Sequence, residues 1–338
     1  MPSDRPEDLT DRLGRGLRDL RLSVTDRCNF RCGYCMPREH FGPEHPFMPR
    51  QELLTFEELQ RVARSAAALG VKKLRLTGGE PLLRKDLHVL VGLLRDISGV
   101  ELSLTTNGSL LAKQAEGLAR AGLDRVTVSL DALEPDLFRR IADADFDVTD
   151  VLSGIEAAQA AGLAPIKINC VVQKGLNDSQ IVPLARRFRG TGHVLRFIEF
   201  MDVGITNGWR LDRVLSGKEI LERIAAEIPL EPVPDSEGVA TRYRYVDGSG
   251  EVGVITSVTR PFCSTCSRLR LSSDGKLFTC LFGNNGVDLR AVLRRGGTDD
   301  EIIELMRASW VAREDRYSEL RSSRTRSLPR IEMSYIGG

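Results

Sequence analysis

An α/β fold built on a parallel sheet is the architecture this sequence predicts, and three observations carry it. Apolar runs of strand length alternate with stretches of helix length between residues 20 and 200. A polar or glycine-rich stretch follows each run, as happens where sites form at the carboxyl ends of parallel strands. Helix punctuation recurs between them: Thr55-Phe56-Glu57-Glu58 has the form of a capping box, and Gly70, Gly122 and Gly162 are placed to end helices.

Taken in order, residues 1–18 are charged and predict a mobile arm. A first strand over 20–24 delivers a cysteine loop from Asp26 to Pro37. Residues 36–50 hold four prolines and a glycine, so an irregular excursion follows. Leu59, Val62, Ala63, Ala66 and Ala67 line the apolar side of a helix running to Gly70. Strands are then expected at 71–76, 101–105, 125–130, 166–172 and 194–200, with helices at 86–96, 111–121, 149–161 and 178–189. Six βα units are too few to close an eight-stranded barrel.

The rhythm breaks after about residue 205. A helix is expected at 216–227, and Asp247-Gly248-Ser249-Gly250 joins hairpin strands at 242–246 and 252–257. A second hairpin, 269–272 with 276–279, turns at Ser273-Asp274-Gly275, and helices follow at 288–295 and 299–310. The basic stretch 321–330 and the closing Gly337-Gly338 have the composition of a disordered tail.

Composition narrows the function. At 338 residues the chain can bury a sizeable core, and one large domain with an appendage is the natural division. A net charge of +1 gives no bulk attraction to nucleic acid or to a membrane surface. No apolar run approaches the roughly 20 residues that span a bilayer, and the polar N-terminus has no signal-peptide core. The seven cysteines fall as three, one and three, a clustering that argues for metal ligation in a reducing cytoplasm rather than for disulfides.

The first triad is Cys28-x3-Cys32-x2-Cys35, with Tyr34 before the last cysteine. Close thiolates suit iron–sulfur clusters or zinc, but structural zinc closes its shell with a fourth Cys or His. His40 and His45 do not give that spacing. A cluster with one iron free of protein ligands fits better, because that iron can bind a substrate. The second triad is Cys263-x2-Cys266-x13-Cys280; its hairpin returns Cys280 beside Cys266, and no histidine lies beyond His193. Cys170 sits in an apolar strand and is expected to be a core thiol.

The first triad resembles the signature of radical S-adenosylmethionine enzymes. With the second triad and the terminal glycines, the chain resembles more narrowly the GTP 3′,8-cyclases of molybdenum cofactor biosynthesis. Arg21-Leu22-Ser23-Val24-Thr25-Asp26-Arg27-Cys28, Arg75-Leu76-Thr77-Gly78-Gly79-Glu80-Pro81, Ile198-Glu199-Phe200-Met201-Asp202 and Cys263-Ser264-Thr265-Cys266-Ser267-Arg268 carry that likeness. It implies an α/β partial (βα)6 TIM-type barrel with a C-terminal cluster-binding extension that caps the barrel opening. The expected division is an arm at 1–18, the barrel at 19–205, the auxiliary-cluster domain at 206–320 and a tail at 321–338.

The resemblance also implies the parts. Two [4Fe-4S] clusters would sit on Cys28, Cys32 and Cys35 and on Cys263, Cys266 and Cys280. Tyr34, Gly79, Ser129 and Met201 would contact S-adenosylmethionine. Arg21, Arg75, Thr105, Lys167, Arg268 and Arg270 would bind GTP, with Arg196 as a weaker candidate, and the Gly337-Gly338 tail would reach into the cavity and help organise the GTP end. Arg21, Arg75 and Lys167 interrupt otherwise apolar strands, and an unpaired cation there is costly, so inward-facing ligands are expected. The implied reaction is that of a lyase: a 5′-deoxyadenosyl radical takes the ribose 3′ hydrogen, the C3′ radical attacks guanine C8, and reduction of the cyclised radical by one electron with uptake of a proton gives 3′,8-cyclo-7,8-dihydro-GTP. The product would pass to cyclic pyranopterin monophosphate synthase; the electron donor is unspecified, and such enzymes are commonly homodimers. The competing readings are a peptide-modifying radical enzyme with an auxiliary cluster and a zinc-stabilised binding protein.

Overall fold

The computed structural model describes residues 9–234, 238–321 and 330–338. The first eight residues of the expected arm and most of the basic stretch after Arg321 lie outside the described residues. Strands β1 (Asp19–Ser23), β2 (Lys73–Thr77), β3 (Glu101–Thr106), β4 (Arg125–Ser129), β5 (Lys167–Val172) and β6 (Val194–Glu199) are successive parallel neighbours in one sheet.

Alternation decides what each face of that sheet buries. Leu20, Leu22, Leu74, Leu76, Leu102, Leu104, Val126, Val128, Ile168, Leu195 and Phe197 are fully buried towards the helices. The intervening residues, Asp19, Arg21, Arg75, Thr105, Arg125, Lys167 and Arg196 among them, share the other face and line an interior cavity. The charged interruptions in the strands are therefore one inner surface. Cys170 belongs to the outer set and is 1% exposed, as its apolar strand predicts.

Helices α1 (Phe56–Ala68), α2 (Leu87–Arg95), α3 (Leu111–Arg120), α4 (Pro135–Ala142), α5 (Val148–Ala160) and α6 (Ile181–Phe188) cover the apolar face. Thr55 and Glu58 form the expected capping box, and Gly70, with φ +97°, takes the left-handed turn that ends α1. Helix α4 was not anticipated. Its signal was Glu134-Pro135: the Glu134 carboxylate accepts from the amides of Asp136 and Leu137, and Pro135 opens the first turn.

The later elements enlarge the same sheet. After α7 (Gly217–Ala225) come β7 (Leu230–Pro232), β8 (Thr241–Tyr245) and β9 (Glu251–Ile255); then β10 (Arg268–Leu271), β11 (Lys276–Phe278) and β12 (Val287–Asp288). Strand β9 pairs parallel with β6, and β10 pairs parallel with β1, so eight parallel strands stand side by side. The full order is β12-β11-β10-β1-β2-β3-β4-β5-β6-β9-β8-β7. Helices α8 (Arg290–Arg294) and α9 (Asp299–Val311) follow, with Trp310 of α9 fully buried, and a last turn, α10 (Met333–Ile336), precedes the two glycines.

The described part of the expected mobile arm is folded. Leu17 is 1% exposed and joins the core, while Asp11 and Arg15 are buried. No helix among the described residues is long and apolar enough to cross a membrane.

Candidate active site

The inner face of the sheet encloses a cavity of about 990 Å³. Cys28, Cys32 and Cys35 line one part of it, and Cys263, Cys266 and Cys280 line another. Tyr34, Gly79, Ser129, Met201, Arg21, Arg75, Thr105, Lys167, Arg196, Arg268 and Arg270 all lie on its wall. The structure thus brings to a single space every residue that the resemblance implies as a cluster, S-adenosylmethionine or GTP contact.

Backbone packing explains why the first triad sits where it does. The loop from Thr25 to Arg27 lies directly on Gly78 and Gly79; Gly79 N donates to Thr25 O at 2.8 Å and Glu80 N to Arg27 O at 2.8 Å. A Cβ at Gly78 would come within 2.4 Å of Thr25 O, and one at Gly79 within 2.2 Å of Arg27 O. These glycines permit close approach of two chain segments as well as an open cavity wall. Glu80 is 1% exposed and accepts from Leu82 N, Asn107 N and the Thr106 hydroxyl. Burial pushes its carboxyl up to about 7, against the pull of those three donors.

The thiols have the surroundings of cluster ligands. Phe30 N lies 3.4 Å from Cys28 Sγ, Phe282 N lies 3.5 Å from Cys280 Sγ, and an Arg268 guanidinium nitrogen lies 3.3 Å from Cys266 Sγ. Such donors favour anionic sulfur. Burial pushes Cys28 and Cys280 up to about 11. Burial acts on Cys266 in the same sense, but Arg268 and Arg313 outweigh it and bring that thiol down to about 6. Among the described residues no group of three His, Cys, Asp or Glu side chains is gathered closely enough to grip one metal ion. The cysteines of both triads line the one cavity.

Tyr34 is held from behind. Its hydroxyl donates to Asp131 Oδ2 at 2.7 Å, and Asp131 Oδ1 accepts from Val171 N at 2.8 Å. Burial raises Asp131 to about 6 despite both donors.

The remaining wall is a cation array. Register places Arg270, Arg21 and Arg75 side by side across β10, β1 and β2. Arg75 donates to the hydroxyls of Thr105 and Thr127 at 3.3 and 3.4 Å. Arg21 Nε and Arg75 Nε are buried with no hydrogen-bond partner among the described residues. Burial, then Arg270, Arg75 and Arg268, drives Arg21 well below the usual arginine range. Burial, then Arg196, Arg125 and Arg75, brings Lys167 down to about 7. These cations outnumber the carboxylates beside them, Asp19 and the Glu101 that pairs with Arg125, and such an excess forms a receptor for a polyanion.

The tail reaches this array: Arg270 donates to Gly337 O, and Gly338 lines the cavity. A Cβ at Gly337 would come within 1.9 Å of Thr77 Oγ1. Sequence reasoning gave no role to Glu80 or Asp131 and passed over Arg125 and Lys73. Period-two alternation with Thr127 and with Arg75 would have placed the last two on the inner face.

Comparison with known proteins places these parts in a family context. Residues 22–188 match the model described as the radical SAM superfamily, and residues 193–319 match the one described as Molybdenum Cofactor Synthesis C. A GTP 3′,8-cyclase of Acidothermus cellulolyticus is 52% identical over 359 residues, covering 98% of this chain and 99% of the relative. GTP 3′,8-cyclases of Xanthomonas campestris pv. campestris and Staphylococcus aureus are each 50% identical, the former over 100% of both chains and the latter over 98% of this chain and 99% of its own. The crystal structure of Streptococcus suis SuiB bound to S-adenosylmethionine aligns with TM-score 0.61 at 15% identity, over 92% of this chain and 71% of that one. That last likeness is one of fold.

Proposed function

We infer the function from one premise: the chain belongs to the GTP 3′,8-cyclase family of radical S-adenosylmethionine enzymes. As a member it acts on GTP in molybdenum cofactor biosynthesis, forming 3′,8-cyclo-7,8-dihydro-GTP. The single observation that best supports this reading is that both cysteine triads and the cation array line the same cavity.

Cys28, Cys32 and Cys35 would hold one [4Fe-4S] cluster, and Cys263, Cys266 and Cys280 a second. When bound, the first cluster and S-adenosylmethionine supply an electron and the radical that removes the ribose 3′ hydrogen. Tyr34, Gly79, Ser129 and Met201 bound the space for S-adenosylmethionine, and Asp131 fixes the ring of Tyr34. Arg21, Arg75, Lys167, Arg268 and Arg270 take the triphosphate, whose charge relieves their mutual repulsion. Thr105 accepts from Arg75 and fixes that guanidinium beside it. Holding the nucleotide rigidly brings C3′ and C8 together, so ring closure proceeds as an intramolecular step. Residues 19–205 thereby carry the radical half of the site, and 206–320 carry the second triad with Arg268 and Arg270. The product would pass to cyclic pyranopterin monophosphate synthase.

Anaerobic reconstitution followed by GTP, S-adenosylmethionine and a low-potential reductant tests the reading. Both 5′-deoxyadenosine and a cyclised guanosine triphosphate are expected, together with about eight irons and eight sulfides per chain. Stoichiometric zinc, or the absence of both products, overturns it.

A further inference from the structure

The first described residues are wired to the second triad rather than to the first. Leu9 to Leu17 form a small hook: Thr10 and Gly16 make an antiparallel bridge, and Leu17 N donates to Leu9 O at 3.1 Å. Asp11 organises its turn. One carboxylate oxygen, Oδ1, accepts from the amides of Leu13 and Arg15, each at 2.9 Å. The other, Oδ2, receives Arg15 Nε at 2.6 Å and Arg313 Nη1 at 3.3 Å. The side chains of Asp11, Arg15 and Arg313 are 0%, 2% and 1% exposed, so this is an interior ion network.

Its outward contacts converge on two cysteines. Arg15 Nη1 donates to Cys263 O at 2.9 Å and to Asp315 O at 2.7 Å. Arg313 Nη1 donates to Cys266 O at 2.7 Å, and its guanidinium lies over the ring of Trp310. Trp310 in turn donates its indole N–H to Arg15 O at 3.0 Å. Between the two cysteines and β10, Ser267 O accepts from Arg18 N and Asp19 N. Guanidinium planes fixed by a shared carboxylate hold both cysteine carbonyls, and with them the directions in which both sulfur atoms leave the backbone. Asp315 also pairs with Arg313, Nε to Oδ2 at 3.7 Å, so two carboxylates answer the two cations and the network acts on orientation rather than through net charge.

We propose that Asp11, Arg15 and Arg313 are positioning residues for the C-terminal cysteine triad, making the N-terminal hook a component of the second iron–sulfur site. The inference rests on the reading that this triad binds a cluster. It separates two regions that sequence order would pair: the hook ends at Leu17, eleven positions before Cys28, yet serves cysteines some 250 positions away.

Two backgrounds test it. The triple substitution Cys28→Ala, Cys32→Ala and Cys35→Ala leaves only the C-terminal triad; Cys263→Ala, Cys266→Ala and Cys280→Ala leaves only the other. Each full-length background is reconstituted anaerobically and should hold about four irons. Iron release to a chelator is then timed. Arg15→Gln, Arg313→Gln and Asp11→Asn should speed release from the C-terminal background by roughly tenfold or more, the scale of lost outer-shell support, and leave the N-terminal background unchanged. Arg313→Lys, which keeps the charge and one donor, should fall between. A substitution that merely unfolds the chain speeds release from both backgrounds, and that result, like no change in either, overturns the proposal. Iron-free C-terminal background before any further substitution overturns the two-cluster reading as well, whereas iron that ignores all four substitutions overturns this inference alone.

Discussion

Lys167 sets how the cavity responds to pH. Burial acts first, and Arg196, Arg125 and Arg75 add their repulsion, so the ammonium is half-deprotonated near pH 7. Below that value it carries its charge; above it the charge is lost. A triphosphate favours the charged form, so binding takes up a proton and GTP affinity must fall as pH rises through this range. Above about pH 7 the nucleotide's own charge changes little. The expected outcome is a decline in affinity of up to roughly tenfold per pH unit between about pH 7 and 8.5. Lys167→Arg, charged throughout, should flatten the decline. Titration calorimetry at constant ionic strength measures both, and a flat wild-type profile would contradict this account. Lys167 itself was legible in the sequence, because a lone cation in an apolar strand asks for a reason. Its depressed pKa was not, since that depends on arginines from β2, β4 and β6 that only the folded sheet brings near. Asp131 and Glu80 escaped notice for the same cause: a carboxylate at a strand end has many fates, and only burial beside Tyr34 or beneath Asn107 singles these out.

At the level of elements, the tail shows how few contacts bring a chain end into a cavity. Glu332 accepts from Ile205 N and the Thr206 hydroxyl, Tyr335 donates to Asp274 at 2.6 Å, and Ile336 is fully buried. Burying one isoleucine contributes about 1.5–3 kcal/mol, enough to hold a short segment that is tied at both ends. Apart from the bond from Arg270 to Gly337 O, the anchors precede the glycines. Removing Gly337 and Gly338 should therefore shift the melting temperature by under about 2 °C, while turnover drops at least about tenfold as Arg270 loses its partner and its fixed orientation. Melting curves and product formation measured on the same preparation decide this, and unchanged turnover would show the glycines to be passive. Composition alone suggests disorder here, since it sees charge and small residues but not the pocket that receives Ile336, whereas the family resemblance implies that the terminal glycines enter the cavity. The helices were easier to foresee. Capping boxes and terminal glycines act within one turn, so α1, α3 and α5 could be placed closely, whereas α4 hid behind a Glu-Pro start.

Across the whole molecule, the sheet ties together what the sequence divides. The regular βα rhythm made six parallel strands legible, because each unit carries its own period and punctuation. Nothing local announces that β9 will lie parallel to β6, or β10 parallel to β1; those pairings join residues far apart, and hairpin composition suggested a separate appendage. The consequence is physical. A chain ending near residue 205 keeps all six βα units but exposes the open edges of β1 and β6 together with buried cations on its inner face. Unpaired parallel edges of this length invite association; Arg75 keeps Thr105 and Thr127, and Arg21 sheds the repulsion of Arg270 and Arg268, so the open strand edges are what drive it. The fragment 1–205 is therefore expected to be insoluble or to form large assemblies, whereas the full chain is not. Adding residues 206–320 as a separate polypeptide should recover soluble protein, since the pairing of β1 with β10 and of β6 with β9 involves backbone groups both pieces still carry. Size-exclusion chromatography and a denaturant melt read the outcome. A monomeric 1–205 fragment with a cooperative unfolding transition would mean that the later strands decorate a finished barrel, and that the two cysteine triads are joined by less than a common sheet.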